Sequence, residues 1–163
     1  MSMKEVVNIA DIALDSRGHG ERFSVQTGEI GLALGLDVLG CMLHIVPPGK
    51  TAGPYHRHHG CDEMFYIVSG EGEYRIGDKR LPVEAGDCLG APAGGAAHQL
   101  VNTGKSELRY LGFSNNPASD LVEYPDSGKI SMRVGAKGVM YDGATYTARG
   151  RLTPAEYWDG EDA

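Results

Sequence analysis

At 163 residues and 41% hydrophobic content, the chain is long enough to bury a core in one domain without disulfides or a structural metal. A net charge of −7 with no basic cluster excludes a nucleic-acid-binding reading, because phosphate contacts need Lys and Arg gathered on one face. No apolar run approaches a membrane span, and Met1 to Ala10 has neither a basic n-region nor a long h-region, so a soluble cytoplasmic protein is expected.

The 24 Gly and 8 Pro are dispersed between short apolar runs, which suits tight turns joining short strands. In chain order, Phe23 to Gln26 is the first expected strand, and Gly31 to Leu36 is too rich in Gly and Leu to assign. Gly40 to Val46 reads as a strand ended by Pro47-Pro48-Gly49, since neither proline can donate to a ladder. Glu63 to Val68, Glu73 to Ile76, Arg80 to Val83, Cys88 to Ala91, Ala97 to Asn102 and Leu108 to Ser114 follow, separated by Gly-containing turns. Leu121 to Tyr124 and Ile130 to Val134 are expected to form a hairpin over Asp126-Ser127-Gly128. The last thirty residues carry Tyr141, Tyr146, Tyr157 and Trp158, read as an extension packing on the sandwich or barrel that such evenly spaced strands form, or on a partner subunit, with a lid over its pocket as the alternative. Glu156, Asp159, Glu161 and Asp162 read as a solvated end. Cys41, Cys61 and Cys88 form an odd set with no CxxC spacing, which favours free thiols; Cys41 and Cys88 are expected in the core.

The densest chemistry lies in Pro54-Tyr55-His56-Arg57-His58-His59-Gly60-Cys61-Asp62-Glu63. If residues 55 to 58 are extended, His56 and His58 share a face and Arg57 points away. A hairpin through His59 to Asp62 would then bring the Glu63 carboxylate back beside both imidazoles. Imidazole nitrogen and carboxylate oxygen together suit a borderline divalent transition metal. A solvated loop of histidines is the competing reading. His59 has the opposite parity and is read as a surface or supporting group, although a turn beginning one residue early would exchange it with His58. Glu63, Phe65 and Ile67 share a strand face, which sets one carboxylate among apolar side chains, a costly position without a cation or hydrogen bonds. His98, between Ala96 and Leu100, reads by itself as a hydrogen-bonded core histidine.

Two motifs in this chain resemble those of the cupin superfamily. The first is carried by His56, His58, Glu63 and Gly70, and the second by Gly86, Pro92, Gly94, His98 and Asn102. Two loop spacings depart by one residue: six residues separate Gly49 from His56, and three separate Gly94 from His98. The likeness extends over Gly18 to Phe23, Leu39 to Met42, Pro92 to Gly95, Ala97 to Gln99 and Glu123 to Lys129, where the chain looks like one group of small, single-domain bacterial cupins.

The resemblance implies an all-β double-stranded β-helix, a jelly-roll barrel with short N- and C-terminal extensions. One domain over 1–163 would hold a barrel core at about 38–114, N-terminal strands in 1–37 and a C-terminal extension in 115–163. It implies a metal held by His56, His58, Glu63 and His98, and beside the first motif the ligand reading of His98 overtakes the core reading. The ligand set does not distinguish manganese, iron, nickel, cobalt or zinc. The expected function is metal-dependent chemistry on a small oxygenated acid, sugar or phenolic, of dioxygenase, decarboxylase, lyase or isomerase type; the alternative is a non-catalytic binding or sensor barrel. The partners expected are a small molecule and a second copy in a homodimer, with no nucleic acid and no membrane. His44, Tyr55 and Tyr110 are weak acid-base candidates, each with an ordinary structural reading.

Overall fold

A computed structural model describes residues 4–135 and 143–161; Met1, Tyr141 and Asp162, named above, lie outside the described residues. Among the described residues the regular structure is nearly all strand. Its elements are β1 (Asp15–His19), β2 (Phe23–Glu29), a single-turn helix α1 (Ile30–Ala33), β3 (Gly40–Val46), β4 (Arg57–His58), β5 (Glu63–Ser69), β6 (Glu71–Ile76) and β7 (Lys79–Glu84). They continue with β8 (Cys88–Ala91), β9 (His98–Val101), β10 (Leu108–Ser114), β11 (Asp120–Tyr124), β12 (Lys129–Val134) and β13 (Tyr146–Gly150).

Six strands form one sheet in the order β1-β2-β3-β10-β5-β8. Facing it are a four-stranded sheet, β13-β12-β11-β4, and a three-stranded sheet, β7-β6-β9. An antiparallel bridge between His56 and His98 joins these two. The result is the double-stranded β-helix expected from the motifs. Between the layers pack Val25, Val46, Phe65, Ile67, Leu100 and Leu108, among others. Strand alternation explains the choice: in β5, Phe65 and Ile67 are buried while Met64 and Tyr66 face outward. A smaller cluster of Ile30, Leu43 and Ile45 lies on the other side of β3, against Leu34 and Ile12. Gly31 admits the close approach of α1, because a Cβ there would meet the Cys41 amide nitrogen at 3.0 Å.

Gly70, the last residue of the first motif, turns β5 into β6 at φ 87°, where a Cβ would stand 2.4 Å from the Glu107 carbonyl oxygen. Asn102, the last of the second motif, is fully buried; its amide donates to the carbonyls of Val46 and Ser106, and its oxygen accepts from the Gly104 N–H. Both motif residues are therefore structural.

The expected β11–β12 hairpin forms, with Tyr124 opposite Lys129. Other expectations fail. No hairpin joins β4 to β5: β4 pairs with β11, and β5 pairs with β10 and β8. Cys88 is exposed, because β8 turns Leu89 and Ala91 inward and Cys88 outward. The strand β1 and the helix α1 were not anticipated: Asp15-Ser-Arg-Gly-His19 has no apolar alternation, and it is held by pairing to β2. Tyr146 begins β13, which pairs with β12. Tyr157 and Trp158 are 82% and 69% exposed and pack edge to face on each other. Neither covers the barrel. Among the described residues no helix is long and apolar enough to cross a membrane, which says nothing of strands.

Candidate metal centre

Three imidazoles and one carboxylate converge inside the barrel. His56 and His98 are set side by side by their own backbones, with His98 N–H donating to the His56 carbonyl at 2.7 Å and His56 N–H donating back at 3.1 Å. Their rings lie 4.6 Å apart. Glu63 opens β5 on the facing sheet, and its Oε2 reaches across to His98 Nε2 at 3.1 Å, His58 Nε2 at 3.5 Å and His56 Nε2 at 3.8 Å. One donor atom from each of His56, Glu63 and His98 lies within 4.8 Å of the others, a grouping that could hold a metal ion. His58 faces the same carboxylate and lies outside that tightest group. Thus the two imidazoles share a face as the alternation requires, while Glu63 arrives from across the barrel rather than round a hairpin.

The hydrogen bonds leave the right atoms free. His56 Nδ1 is 2.8 Å from the Pro54 carbonyl oxygen, which can only accept, so Nδ1 carries the proton. Burial, with His98 beside it, lowers the His56 pKa to about 4 against the opposing pull of Glu63, leaving a neutral ring whose Nε2 lone pair points at the carboxylate. His58 Nδ1 is held by Asp120 Oδ2 at 2.5 Å. Burial alone would lower the His58 pKa, but the Asp120 hydrogen bond and the charge of Glu63 outweigh it and the net shift is upward. Burial would raise Glu63, yet the three imidazoles close around it, His98 nearest, hold it at about 2. The carboxylate is ionised.

A metal fits these residues better than hydrogen bonding does. Glu63 Oε2 and His98 Nε2 are buried and close, but neither is aligned in a hydrogen bond. Buried polar atoms left in that state are rare and ask for an explanation. Two imidazole lone pairs and a carboxylate oxygen around one point match the donor preference of a borderline cation. His56 and His58 each set the other ring nitrogen against a carbonyl or carboxylate, as ligands of such an ion usually do, while His98 Nδ1 has no such partner among the described residues.

His59 takes no part. Its Nε2 meets Glu123 Oε1 at 3.1 Å on the exterior, where Arg57 Nε also binds Glu123 at 2.6 Å. Tyr55 donates to the Gly77 carbonyl and stacks under Arg75, a structural role. Tyr110 is buried and stacks on His44. Cys61 lines the cavity, and burial pushes its thiol up to about 12, far from thiolate chemistry.

Asp120 is the residue that sequence reasoning missed. It orients His58 and also accepts the Gly60 N–H at 2.9 Å. Its signal was present in Asp120-Leu-Val122, where alternation puts the carboxylate on the same buried face as Val122. The centre opens into a cavity of about 320 Å³ whose wall includes Thr27, His44, Phe65 and the cations Arg17 and Arg133.

Residues 42–113 match the family model of the cupin domain. The oxalate-binding protein of Thermotoga maritima is 38% identical over 66 residues, 40% of this chain and 53% of that protein. The chain spans 53% and 64% of the lengths of two curated relatives that it matches. The crystal structure of a "putative sugar phosphate isomerase" from Acidithiobacillus ferrooxidans superposes with a TM-score of 0.74 at 29% identity, covering 82% of this chain and 87% of that one. A sugar phosphate isomerase of cupin fold from Silicibacter pomeroyi gives a TM-score of 0.76 over 90% of this chain and 92% of its own; at 20% identity that is a likeness of fold.

Proposed function

Because the chain belongs to the cupin superfamily, we propose that it is a metal-dependent small-molecule enzyme in which His56, His58, Glu63 and His98 hold a divalent transition metal. The observation that carries this reading is the buried, unaligned meeting of Glu63 Oε2 and His98 Nε2 beneath an open cavity. When bound, such an ion supplies Lewis acidity or an activated water, and with iron it supplies dioxygen chemistry. The chain's own residues do the rest. Asp120 and the Pro54 carbonyl orient two imidazoles, Phe65 and Leu100 exclude water, and Arg17 and Arg133 bring positive charge to the wall of a cavity sized for a small acid or sugar. An anionic, oxygen-rich substrate suits that wall. The names of relatives, oxalate-binding protein and sugar phosphate isomerase, point to the same class.

One observation favours a second reading, a metal-containing binding or sensor barrel. Tyr55 is committed to the Gly77 carbonyl, and the buried Tyr110 has its pKa raised by desolvation, so neither is an evident acid or base. Turnover decides. Metal analysis of the purified protein is followed by thermal-shift screening with small carboxylates, phosphorylated sugars and phenolics, and each binder is then incubated aerobically and anaerobically and examined by NMR. Chemical change in a binder supports the enzyme; binders that are never altered leave the sensor. We also read the protein as a cytoplasmic homodimer. Free thiols at Cys41, Cys61 and Cys88 accord with a reducing compartment, and the edge strands β7, β8 and β13 with a two-fold partner; light scattering tests the dimer.

A further inference from the structure

Thr27 and His44, in the cavity wall, stand apart from the metal centre. Thr27 lies opposite His44 across the β2–β3 ladder, and His44 lies opposite Tyr110 across β3–β10, so the three form one inward row. Thr27 and His44 both line the cavity. Thr27 Oγ1 and His44 Nδ1 are each buried, and among the described residues neither has a hydrogen-bond partner. The imidazole is also held in place. Tyr110 stacks on it at 4.6 Å with the planes 7° apart, and Gly112 leaves it room where a Cβ would come within 3.2 Å of His44 Cε1.

A nitrogen of a fixed ring and a neighbouring hydroxyl, both unsatisfied and both on the cavity wall, are what a ligand-binding site needs and what a core avoids. Burial lowers the His44 pKa to about 4 against a hydrogen bond to the Met42 backbone, so at neutral pH the ring is uncharged and its buried Nδ1 is the atom left for a ligand. The Thr27 hydroxyl offers both a donor and an acceptor. Such a pair suits an oxygen of a neutral or anionic molecule.

We infer that Thr27 and His44 are ligand-contacting residues, which hydrogen-bond an oxygen of the bound small molecule other than those held at the metal centre and so select for a second oxygen on the ligand. The inference rests on the small-molecule reading proposed above. It makes the two residues a specificity device: a site built to pair with an oxygen rejects an analogue that leaves its polar groups unpaired.

The test uses the full chain, metal-reconstituted, with oxalate, glycolate and ribose 5-phosphate as probes in calorimetric titrations of wild type, Thr27→Val, Thr27→Ser and His44→Phe. Whichever probe binds wild type is expected to bind Thr27→Val and His44→Phe roughly 3- to 10-fold more weakly, with Thr27→Ser near wild type and metal content the same in all. Without ligand, Thr27→Val is expected to melt at or above the wild-type temperature, because the isostere leaves no hydroxyl unsatisfied. That readout also shows that the variant folds. Equal probe affinity in wild type, Thr27→Val and His44→Phe overturns the inference and leaves the small-molecule reading standing; a lowered melting temperature of Thr27→Val with unchanged affinity assigns Thr27 to the fold. Failure of all three probes to bind metal-loaded wild type overturns the small-molecule reading, and the inference falls with it.

Discussion

Two carboxylates in this molecule are each faced by side chains from the same short segment, and their fates differ. Glu63, inside, meets His56 and His58; Glu123, outside, meets Arg57 and His59. The alternation of an extended chain separates the four neighbours two by two. Glu123 is satisfied by hydrogen bonds from Arg57 and, at 3.1 Å, from His59, at side chains 31% to 41% exposed. Glu63 sits at 19% exposure beside a His98 at 4%, with Oε2 close to three imidazoles and aligned with none. Proximity of histidine to carboxylate is therefore no mark of a metal site. What makes the inner carboxylate the candidate is that buried metal-ligating atoms of different residues gather round one point without hydrogen bonds.

The contrast breaks most sharply at Glu63 itself. Glu63→Ala and His98→Ala should each abolish metal retention through purification, a loss beyond the 10- to 100-fold typical of supporting residues. Unchanged metal by elemental analysis in both would place Glu63 in the same class as Glu123. Next in size, stripping metal with a chelator should lower the melting temperature of wild type but not of Glu63→Ala; at 100-fold excess over Kd the stabilisation lost is about 2.7 kcal/mol. Chelator competition on Asp120→Asn should then show metal held roughly 10- to 100-fold more weakly, since His58 loses its orienting carboxylate. The smallest effect belongs to the exterior. Glu123→Ala and His59→Ala should cost no more than about 1 kcal/mol by urea unfolding, diminish further in high salt, and leave metal content untouched. A loss of metal in His59→Ala would exchange the roles assigned to the two sides.

Much of the site could be read in one dimension. Period-two alternation put His56 and His58 together and set His59 apart, and the apolar neighbours of Glu63 marked it as a buried charge. Asp120 escaped because it stands 62 residues from His58 and meets it only through the β4–β11 ladder. Thr27 escaped for the same reason, and His44, noted only as a weak acid-base candidate, could not be joined to it from sequence. Each is an ordinary strand residue until β2, β3 and β10 lie side by side. Cys88 was misplaced because Cys88-Leu89-Gly90-Ala91 carries small or apolar residues on both parities, so the pattern does not say which face is inside.

The hairpin that would have returned Glu63 to the histidines was a local solution to a problem solved at long range. Side-chain direction along a strand follows from covalent geometry, so the sequence by itself determined the kinds of donor, their shared face and the all-β fold. Which strand lies across from which depends on the burial of whole faces and on ladders between distant segments. Only the tertiary structure decided that Glu63 reaches the imidazoles from the opposite sheet, that Asp120 holds one of them, and that Thr27 and His44 end in the same cavity wall.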